Sequence, residues 1–242
     1  MTDAVAYPRF LLAGERALVV EFGETIDPAV NARVVALDAA LARAGLDGVV
    51  ETVPTYRSLM IHYDPARIAL GALRCAVAVL IVQPAAVRAP RRWRVPVCYD
   101  PPFAEDLDEV AESLGLSTGE IIARQNAAVY RVYMYGFAPG YMFLGGLPPA
   151  LNISRRPAPR PPVPPGSLLI AAGQALIASV AMPTGWHQIG RTPVNIFDVD
   201  RQPMVLAEIG DEIVFDRIDA ARFVELSQSD AANASALQAD GG

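Results

Sequence analysis

The sequence predicts an α+β protein with two domains, and three observations support this prediction. The 242 residues exceed one small module and suit one large domain or two of ordinary size. Strand-like and helix-like segments alternate as far as Val82, whereas short strand-like segments separated by Gly and Pro turns dominate beyond Tyr130. A hydrophobic fraction of 52% is enough for a packed core.

The first domain is predicted to contain its elements in the order β, β, α, β, β, α. Strands are expected at Phe10–Leu12, Ala17–Phe22, Val49–Pro54 and Ser58–Tyr63. A proline in the first turn and apolar residues three or four apart indicate a helix from Pro28 to Ala44. Asp64 and Pro65 are predicted to cap a second helix that runs through Leu73 and Val77. This order favours a small ferredoxin-like domain over residues 1–85.

The second domain is predicted to cover residues 86–227, because residues 83–94 carry prolines and arginines without any helical or strand period. An amphipathic helix is expected at Phe103–Leu114, and the capping box from Ser117 to Glu120 opens another. Short strands, as a barrel requires, are then expected at Tyr130–Tyr135, Ser167–Ala171, Leu176–Val180, Val194–Val199, Met204–Ala207 and Ile213–Phe215. Residues 228–242 are rich in Ala, Ser, Asp and Gly and are predicted to form a disordered tail.

Residue types that the chain lacks exclude several kinds of catalytic site. All 20 residues counted as Lys or Arg are arginines, whereas a P-loop, a Schiff base and a serine–lysine amidase each need a lysine. His62 and His187 are the only histidines, so a multi-histidine metal site is excluded, and we predict no metal ligands. A Ser-His-Asp triad would need one of these two histidines. The net charge of −6 gives no overall attraction to nucleic acid.

The sequence predicts a cytoplasmic protein without a membrane span. Its longest apolar run, Cys75–Val82, is far shorter than the roughly 20 residues of a membrane helix, and no signal-peptide pattern opens the chain. Cys75 and Cys98 have neither metal-binding spacing nor a disulfide framework around them. Both are predicted to be buried thiols.

The strongest chemical signal is the absence of acidic residues between Glu120 and Asp198. The arginines in this segment are Arg124, Arg131, Arg155, Arg156, Arg160 and Arg191. Arg124 and Arg131 fit solvated faces. The other four lie in loops rich in Pro and Gly, where guanidinium groups with no carboxylate nearby suit a bound phosphate or carboxylate. The alternative is that these arginines are structural and donate to loop carbonyls.

Two other segments carry weaker signals. The sequence GFAPGY, from Gly136 to Tyr141, is typical of a tight loop whose glycines adopt positive φ. Trp186 and His187 could form a stacking wall beside a proton-transfer group, or could equally serve packing. His62, within the strand SLMIHY, is interpreted as structural.

Five motifs, in order along the chain, resemble the family of the 5-oxoprolinase B subunit, which includes the kinase-A inhibitor of sporulation and the so-called allophanate hydrolase subunit 1. These motifs are GFAPGYMFLGGL, RRPAPRPPVPPGS, AAGQ, PTGWHQIGRTP and IGDEIVF. The segments YPRFLLAGERALVVEFG and VPTYRSLMIHYDP are similar to the small N-terminal domain of the family. The resemblance covers nearly the whole chain and implies a cyclophilin-like β-barrel for the second domain.

The resemblance also marks candidate binding residues. They are Phe137, Pro139, Gly140, Arg155, Arg156, Arg160, Gln174, Gly185, Trp186, Gly190 and Arg191. The chain departs from the family pattern at three places: Gln125 replaces a histidine, LIAS (Leu176 to Ser179) replaces GIYP, and Thr184 replaces a glycine. Because Gln125 cannot exchange a proton near neutral pH, an acid–base role of that family histidine is lost or moved, and His187 is the candidate catalytic residue.

The resemblance implies that the chain is part of an ATP-dependent, multi-subunit enzyme that opens a cyclic amide, converting 5-oxoproline to glutamate. A phosphoryl group on the lactam oxygen makes a better electrophile, and arginines or a nucleotide-bound metal spread its charge. The implied cofactors are ATP and Mg²⁺, both held mainly by a partner. The implied partners are the larger, carboxyltransferase-like C subunit and the A subunit of the 5-oxoprolinase type.

Two alternatives from other functional classes remain open at this point. One is a non-catalytic regulator whose barrel surface binds a histidine kinase and inhibits it. The other is a carboxyltransferase-like component of a urea or allophanate system. The absence of lysine argues against a chain that itself hydrolyses allophanate as a serine–lysine amidase.

Overall fold

The computed structural model of the chain describes residues 6–83 and 88–228. It divides into two compact units, residues 1–89 and residues 90–242, and each has its own hydrophobic core. The predicted boundary between residues 85 and 86, and the predicted tail apart from Gln228, lie outside the described residues. Within residues 6–83 and 88–228, no helix combines the length and the apolar character that a membrane span needs.

The first unit is an antiparallel sheet with two helices. Its elements are β1 (Arg9–Leu12), β2 (Ala17–Glu21), α1 (Pro28–Ala44), β3 (Val49–Pro54), β4 (Ser58–Tyr63) and α2 (Leu70–Val82). The strands lie in the order β1-β2-β4-β3, and residues such as Leu18, Leu37, Leu59 and Val77 form the core. The predicted order of elements is confirmed, whereas the relation to ferredoxin-like folds stays a prediction.

The two helices of this unit differ in how well their starts could be predicted. At α1, the Asp27 side chain accepts backbone N–H groups and Gly45 ends the helix in a left-handed conformation. The prediction that Asp64 caps α2 is wrong. Asp64 accepts from the N–H of Ala66 inside a separate turn, and the helix begins only at Leu70.

The predicted burial of the two thiols is right for one of them. Cys98 is buried, and burial raises the pKa of its thiol. Cys75 is exposed, so that prediction is wrong. The reason is that α2 buries only the face that carries Leu73 and Val77, although nearly every residue in it is apolar.

The second unit is built around a closed seven-stranded barrel with the strand order β10-β7-β6-β13-β5-β12-β9. The barrel strands are β5 (Arg92–Cys98), β6 (Tyr130–Tyr135), β7 (Met142–Gly145), β9 (Ser167–Ala171), β10 (Gln174–Ile177), β12 (His187–Arg191) and β13 (Glu212–Ile218). A separate two-stranded sheet joins β8 (Arg160–Val163) and β11 (Met182–Thr184). The helices are α3 (Leu107–Leu114), α4 (Thr118–Ala127) and α5 (Ala220–Ser227). Large apolar side chains such as Leu168, Ile170, Ile189 and Phe215 fill the core.

The predicted barrel is confirmed, but several of its strands were placed wrongly. Val194–Val199 and Met204–Ala207 are not strands and meet only at a bridge between Phe197 and Val205. Conversely, parts of two segments that were interpreted as loops rich in Pro and Gly form β8 and β12. Strand β8 contains two prolines, which a strand tolerates where the proline nitrogen faces no pairing partner.

The two helices between β5 and β6 differ in how well their starts were predicted. Ser117 and Glu120 form the predicted capping box at the start of α4. Helix α3 starts at Leu107 rather than at Phe103, and its preceding residue Asp106 makes no side-chain cap. The side chain of Asp106 instead contacts strand β12 and two arginines.

Candidate functional site

Strand β12 divides the predicted site residues into two groups. His187 is its first residue and Arg191 its last, so their Cα atoms lie about 13 Å apart at roughly 3.3 Å per residue. Opposite them on β9 lie Ile170 and Ser167, respectively. The two predicted site residues His187 and Arg191 therefore lie at opposite ends of one strand.

Near the His187 end lies a group of ion pairs that we call the paired-arginine cluster. Its members are Glu105, Asp106, Glu109, Arg156 and Arg160. Arg156 donates to Asp106 at 3.3 Å and to Glu109 at 2.7 Å, and the hydrogen bond to Glu109 raises the pKa of Arg156. Arg160 donates to Glu105 and Asp106.

The interpretation that Arg156 and Arg160 lack nearby carboxylates is thus wrong. The segment between Glu120 and Asp198 contains no acid, but the residues at the start of α3 fold against it and supply three carboxylates. Asp106 is only 7% exposed. Each of the two arginines forms ion pairs with two of these carboxylates, so neither has the carboxylate-free surroundings on which the prediction depended.

Trp186 and His187 are packed inside the unit rather than exposed in a binding wall. Trp186 is 5% exposed and lies in a cluster with Tyr141 and Phe143. The guanidinium carbon of Arg155 lies 5.9 Å from the centre of the Trp186 ring. Of the two alternatives, packing is the one that the contacts of Trp186 support.

His187 is also buried, with 5% of its surface exposed. Its Nε2 lies 3.0 Å from the carbonyl oxygen of Ser154, which can only accept, so Nε2 carries the proton and donates. Its Nδ1 is buried and has no hydrogen-bond partner among the described residues. This nitrogen is the atom through which the predicted catalytic role of His187 would have to act.

Three further predicted residues lie in strands or next to them. Gln174 begins β10 and pairs with Ala171, near the His187 end of β9. The carbonyl of Gly185 accepts the N–H of Arg156 at 2.8 Å. At Gly190 a Cβ atom would lie 2.7 Å from Val97, so the close approach of β12 to β5 requires glycine there.

The GFAPGY loop has an unusual backbone at its aromatic residue. Phe137 has a φ of 69° and is 78% exposed. The N–H of Ala138 donates to the carbonyl of Gly136 at 2.8 Å, which closes a three-residue turn around Phe137. Turns of this kind with positive φ at the central residue are rare and strained. Of the two glycines predicted to adopt positive φ, Gly140 does so and Gly136 does not. The other positive φ in this loop belongs to Phe137.

The loop contacts the rest of the second unit at Pro139 and Gly140. A Cβ atom at Gly140 would lie 2.3 Å from Phe197, so only glycine fits this contact. The carbonyl of Pro139 accepts from the Ser179 hydroxyl. Ser179 in turn lines a pocket at the Arg191 end of β12.

This pocket, which we call the Arg191 pocket, has a volume of about 250 Å³. Its polar lining comes from Gly166, Ser179, Arg191, Thr192 and Asn195, and Phe223 and Ser227 of α5 form another part of the wall. No acidic residue belongs to the described lining.

Two contacts hold the Arg191 side chain, and neither of them involves a carboxylate. Its Nε donates to the carbonyl of Pro165 at 2.9 Å, and its guanidinium carbon lies 5.5 Å from the centre of the Phe223 ring. Among the described residues no acidic side chain pairs with it, and burial lowers its pKa. Arg191 is therefore the predicted arginine that best keeps the properties of an anion-binding group.

Two features of the site could not be found from the sequence. The acids of the paired-arginine cluster lie at the start of α3, and Phe223 and Ser227 lie beyond the acid-free segment in α5. Neither feature has a characteristic spacing. Phe223 only shows the pattern of an ordinary amphipathic helix residue.

Gln125, which replaces the family histidine, is fully buried. Its Oε1 accepts the hydroxyl of Tyr130 at 2.7 Å, and its Nε2 has no hydrogen-bond partner among the described residues. The residue thus joins α4 to β6 in the core. In this chain the departure from the family affects packing at that junction and not an exposed acid–base group.

No metal centre emerges from the part of the chain that the structure describes. Within residues 6–83 and 88–228, no three His, Cys, Asp or Glu side chains come together in a way that could hold an ion. The carboxylates of the paired-arginine cluster form ion pairs with its arginines.

Comparisons with known proteins agree with the fold and with the family that the motifs indicate. The model of the family described as "Carboxyltransferase domain, subdomain C and D" matches residues 8–207. The 5-oxoprolinase B subunit of Bacillus subtilis (strain 168) is 35% identical over 217 residues, which cover 85% of this chain and 90% of the relative. The 5-oxoprolinase B subunit of Escherichia coli O157:H7 is 32% identical over 208 residues, or 86% and 94% of the two chains.

Solved structures show the same fold within longer chains. The sequence of TTHA0988 is 36% identical to this chain, and its crystal structure superposes with a TM-score of 0.77. The match covers 85% of this chain but only 40% of the longer TTHA0988 chain. The urea amidolyase of K. lactis superposes with a TM-score of 0.74 over 93% of this chain and 16% of the other, at 18% identity. At that level of identity the likeness concerns the fold alone.

Proposed function

Because the chain belongs to the family of the 5-oxoprolinase B subunit, we propose that it is part of a multi-subunit enzyme that uses ATP to open a cyclic amide, converting 5-oxoproline to glutamate. The observation that carries this proposal is the Arg191 pocket. No carboxylate among the described residues pairs with its guanidinium, and its described lining contains no acidic residue. The substrate carboxylate, a phosphorylated lactam and the product are all anions that such a pocket suits.

The size of the pocket is consistent with a small ligand. Its volume of about 250 Å³ is below the roughly 300–1,000 Å³ of pockets that enclose drug-sized molecules. A single carboxylate or phosphoryl group with a short carbon chain fits this volume better than a whole nucleotide. We therefore assign the small anionic part of the reaction to this chain.

The chemistry of opening a lactam explains why an arginine is useful here. The amide is stabilised by resonance, and transfer of a phosphoryl group to its oxygen produces a better electrophile at the cost of added negative charge. A guanidinium stabilises that charge, and it does so more strongly when it is partly removed from water. Arg191 has this environment, since burial is what lowers its pKa.

The residues of the pocket do not fit a Mg²⁺ ion held by this chain. Mg²⁺ prefers carboxylates and phosphate oxygens, whereas the described lining contains no Asp or Glu. We propose that ATP and Mg²⁺ are held mainly by partners, namely the larger, carboxyltransferase-like C subunit and the A subunit of the 5-oxoprolinase type. The length of the TTHA0988 chain, of which this chain spans 40%, supports a fold that works beside further polypeptide.

Reconstitution tests this proposal. The chain would be purified alone and together with the proteins encoded beside it, and ADP and glutamate would be measured with 5-oxoproline, other lactams and urea. We expect turnover of 5-oxoproline only by the assembled complex. Robust turnover by the chain alone would contradict a shared site, and turnover of urea without any lactam would contradict the proposed substrate class.

A further inference from the structure

We propose that Phe223 is a positioning residue for Arg191 and that helix α5 determines the size of the anion that the Arg191 pocket accepts. This inference rests on the proposed function of the pocket. It concerns a part of the chain, Ala220–Ser227, that lies beyond the segment matched by the family model, which ends at residue 207.

Helix α5 is fixed to the second unit in a way that presents one face to the pocket. The Asp219 side chain caps it by accepting the N–H of Arg222 at 2.7 Å, and Phe223 and Leu226 are buried. Phe223 and Ser227 are four residues apart, so they lie on the same side of the helix. Both line the Arg191 pocket.

The ring of Phe223 contacts both Arg191 and Phe103, and Phe103 is joined to strand β12 through Gln188. Its centre lies 4.1 Å from the ring of Phe103, and the carbonyl of Phe103 accepts from the Gln188 side chain at 3.2 Å. Phe223 is only 6% exposed, so its ring has little freedom to move. A fixed aromatic ring attracts and orients a guanidinium near its face.

Arg191 is consequently held at two points, the carbonyl of Pro165 through Nε and the ring of Phe223. This arrangement orders the guanidinium before any ligand binds and leaves its terminal nitrogens for an anion. Ordering in advance removes a cost that a flexible arginine would bear at binding. The same ring and Ser227 occupy space at the wall of the pocket, which limits the size of the ligand.

Binding of two anions of different size to the full chain tests both parts of the inference. Inorganic phosphate and pyrophosphate, without Mg²⁺, would be titrated by calorimetry into the parent chain and its variants. Phe223→Leu should weaken phosphate binding by about tenfold and pyrophosphate binding by less, because the pocket becomes wider. Phe223→Tyr keeps an aromatic face and should restore the parent affinity for phosphate. Val224→Ala, at an exposed position of the same helix, is the matched control and should change neither affinity.

Because Phe223 is buried, a second variant tests the role of α5 at an exposed position. Ser227→Leu at the exposed end of α5 should narrow the pocket and weaken pyrophosphate binding more than phosphate binding. Unchanged affinities in both Phe223→Leu and Ser227→Leu, together with loss of phosphate binding in Arg191→Ala, would overturn the role of α5 and leave the pocket intact. If Arg191→Ala bound phosphate as tightly as the parent, or the parent bound neither anion, the pocket itself would be overturned, and the inference with it.

Discussion

Asp106 and Gln188 hold the start of helix α3 against strand β12 through two hydrogen bonds. The N–H of Gln188 donates to Oδ2 of Asp106 at 2.7 Å, and the N–H of Asp106 donates to the carbonyl of Gln188 at 3.0 Å. Arg156 and Arg160 donate to the same carboxylate. The paired-arginine cluster is therefore a support for β12, the strand whose other end carries Arg191.

Replacement of Asp106 should destabilise the second unit. In Asp106→Ala the Arg160 side chain, 13% exposed, keeps the exposed Glu105 as a partner. The N–H of the buried Gln188, however, loses its acceptor, which costs about 1–3 kcal/mol. The free energy of unfolding from urea titrations measures this loss. Asp108→Ala, at an exposed position in the same segment, should stay within about 0.5 kcal/mol of the parent. Equal unfolding midpoints for the two variants would show that the cluster contributes little to stability.

The strained turn at Phe137 should separate stability from activity. A residue other than glycine in the left-handed region costs on the order of 1–3 kcal/mol, so Phe137→Gly should leave the free energy of unfolding unchanged or raise it. The activity of the assembled complex should fall, since the exposed ring is lost. Phe137→Ala, the matched control, should lose the same activity without any gain in stability. Full activity in both variants would remove Phe137 from the site.

Gln125 and Tyr130 should behave as a coupled pair. In Gln125→Leu the Tyr130 hydroxyl loses its buried acceptor, which costs about 1–3 kcal/mol. Adding Tyr130→Phe removes the unsatisfied hydroxyl and should recover part of this loss. A double-mutant cycle of unfolding free energies measures the coupling. Strictly additive effects would mean that the hydrogen bond contributes nothing.

Buried tyrosines should make the protein sensitive to alkaline pH. Burial raises the pKa of Tyr130 and Tyr135 in the folded state, whereas an unfolded tyrosine ionises near pH 10. Above about pH 10 the unfolded chain binds fewer protons, so the free energy of unfolding should fall by about 1.4 kcal/mol per pH unit for each of these groups. Below pH 10 they should have no effect. Urea titrations from pH 8 to 11 measure the slope, which Tyr135→Phe should reduce; a flat profile up to pH 11 would contradict this account.

The sequence predicted the elements whose signals are local. The period of α1, the capping box of α4 and the apolar run of β9 depend on residues that are neighbours in the chain or on one helix face, and these elements form where they were expected. Strand β12 was missed because HQIGR contains a glycine and polar residues. Its glycine is explained only by the approach of Val97, a contact between residues far apart in the chain.

The candidate site shows the same division. Spacing along the chain could identify Arg191 and the GFAPGY loop, but it could not reveal which arginines meet a carboxylate. Arg156 and Arg160 lie in an acid-free segment and still find Asp106, some 50 residues earlier in the chain. Arg191 lies in the same segment and meets Phe223 instead. Only the fold distinguishes a structural arginine from one whose charge is open to a ligand.

The most direct test of the proposed role is the 5-oxoproline-dependent hydrolysis of ATP by the assembled complex carrying Arg191→Ala. Loss of a charged contact of about 1.5–3 kcal/mol should lower kcat/KM for 5-oxoproline by about tenfold to a hundredfold, while the complex still assembles and the unfolding free energy of the chain stays near that of the parent. Arg124→Ala, which removes a half-buried arginine that pairs with Glu120 on α4, should leave kcat/KM unchanged. Parent values of kcat/KM in the Arg191→Ala complex would contradict the assignment of this pocket to the reaction.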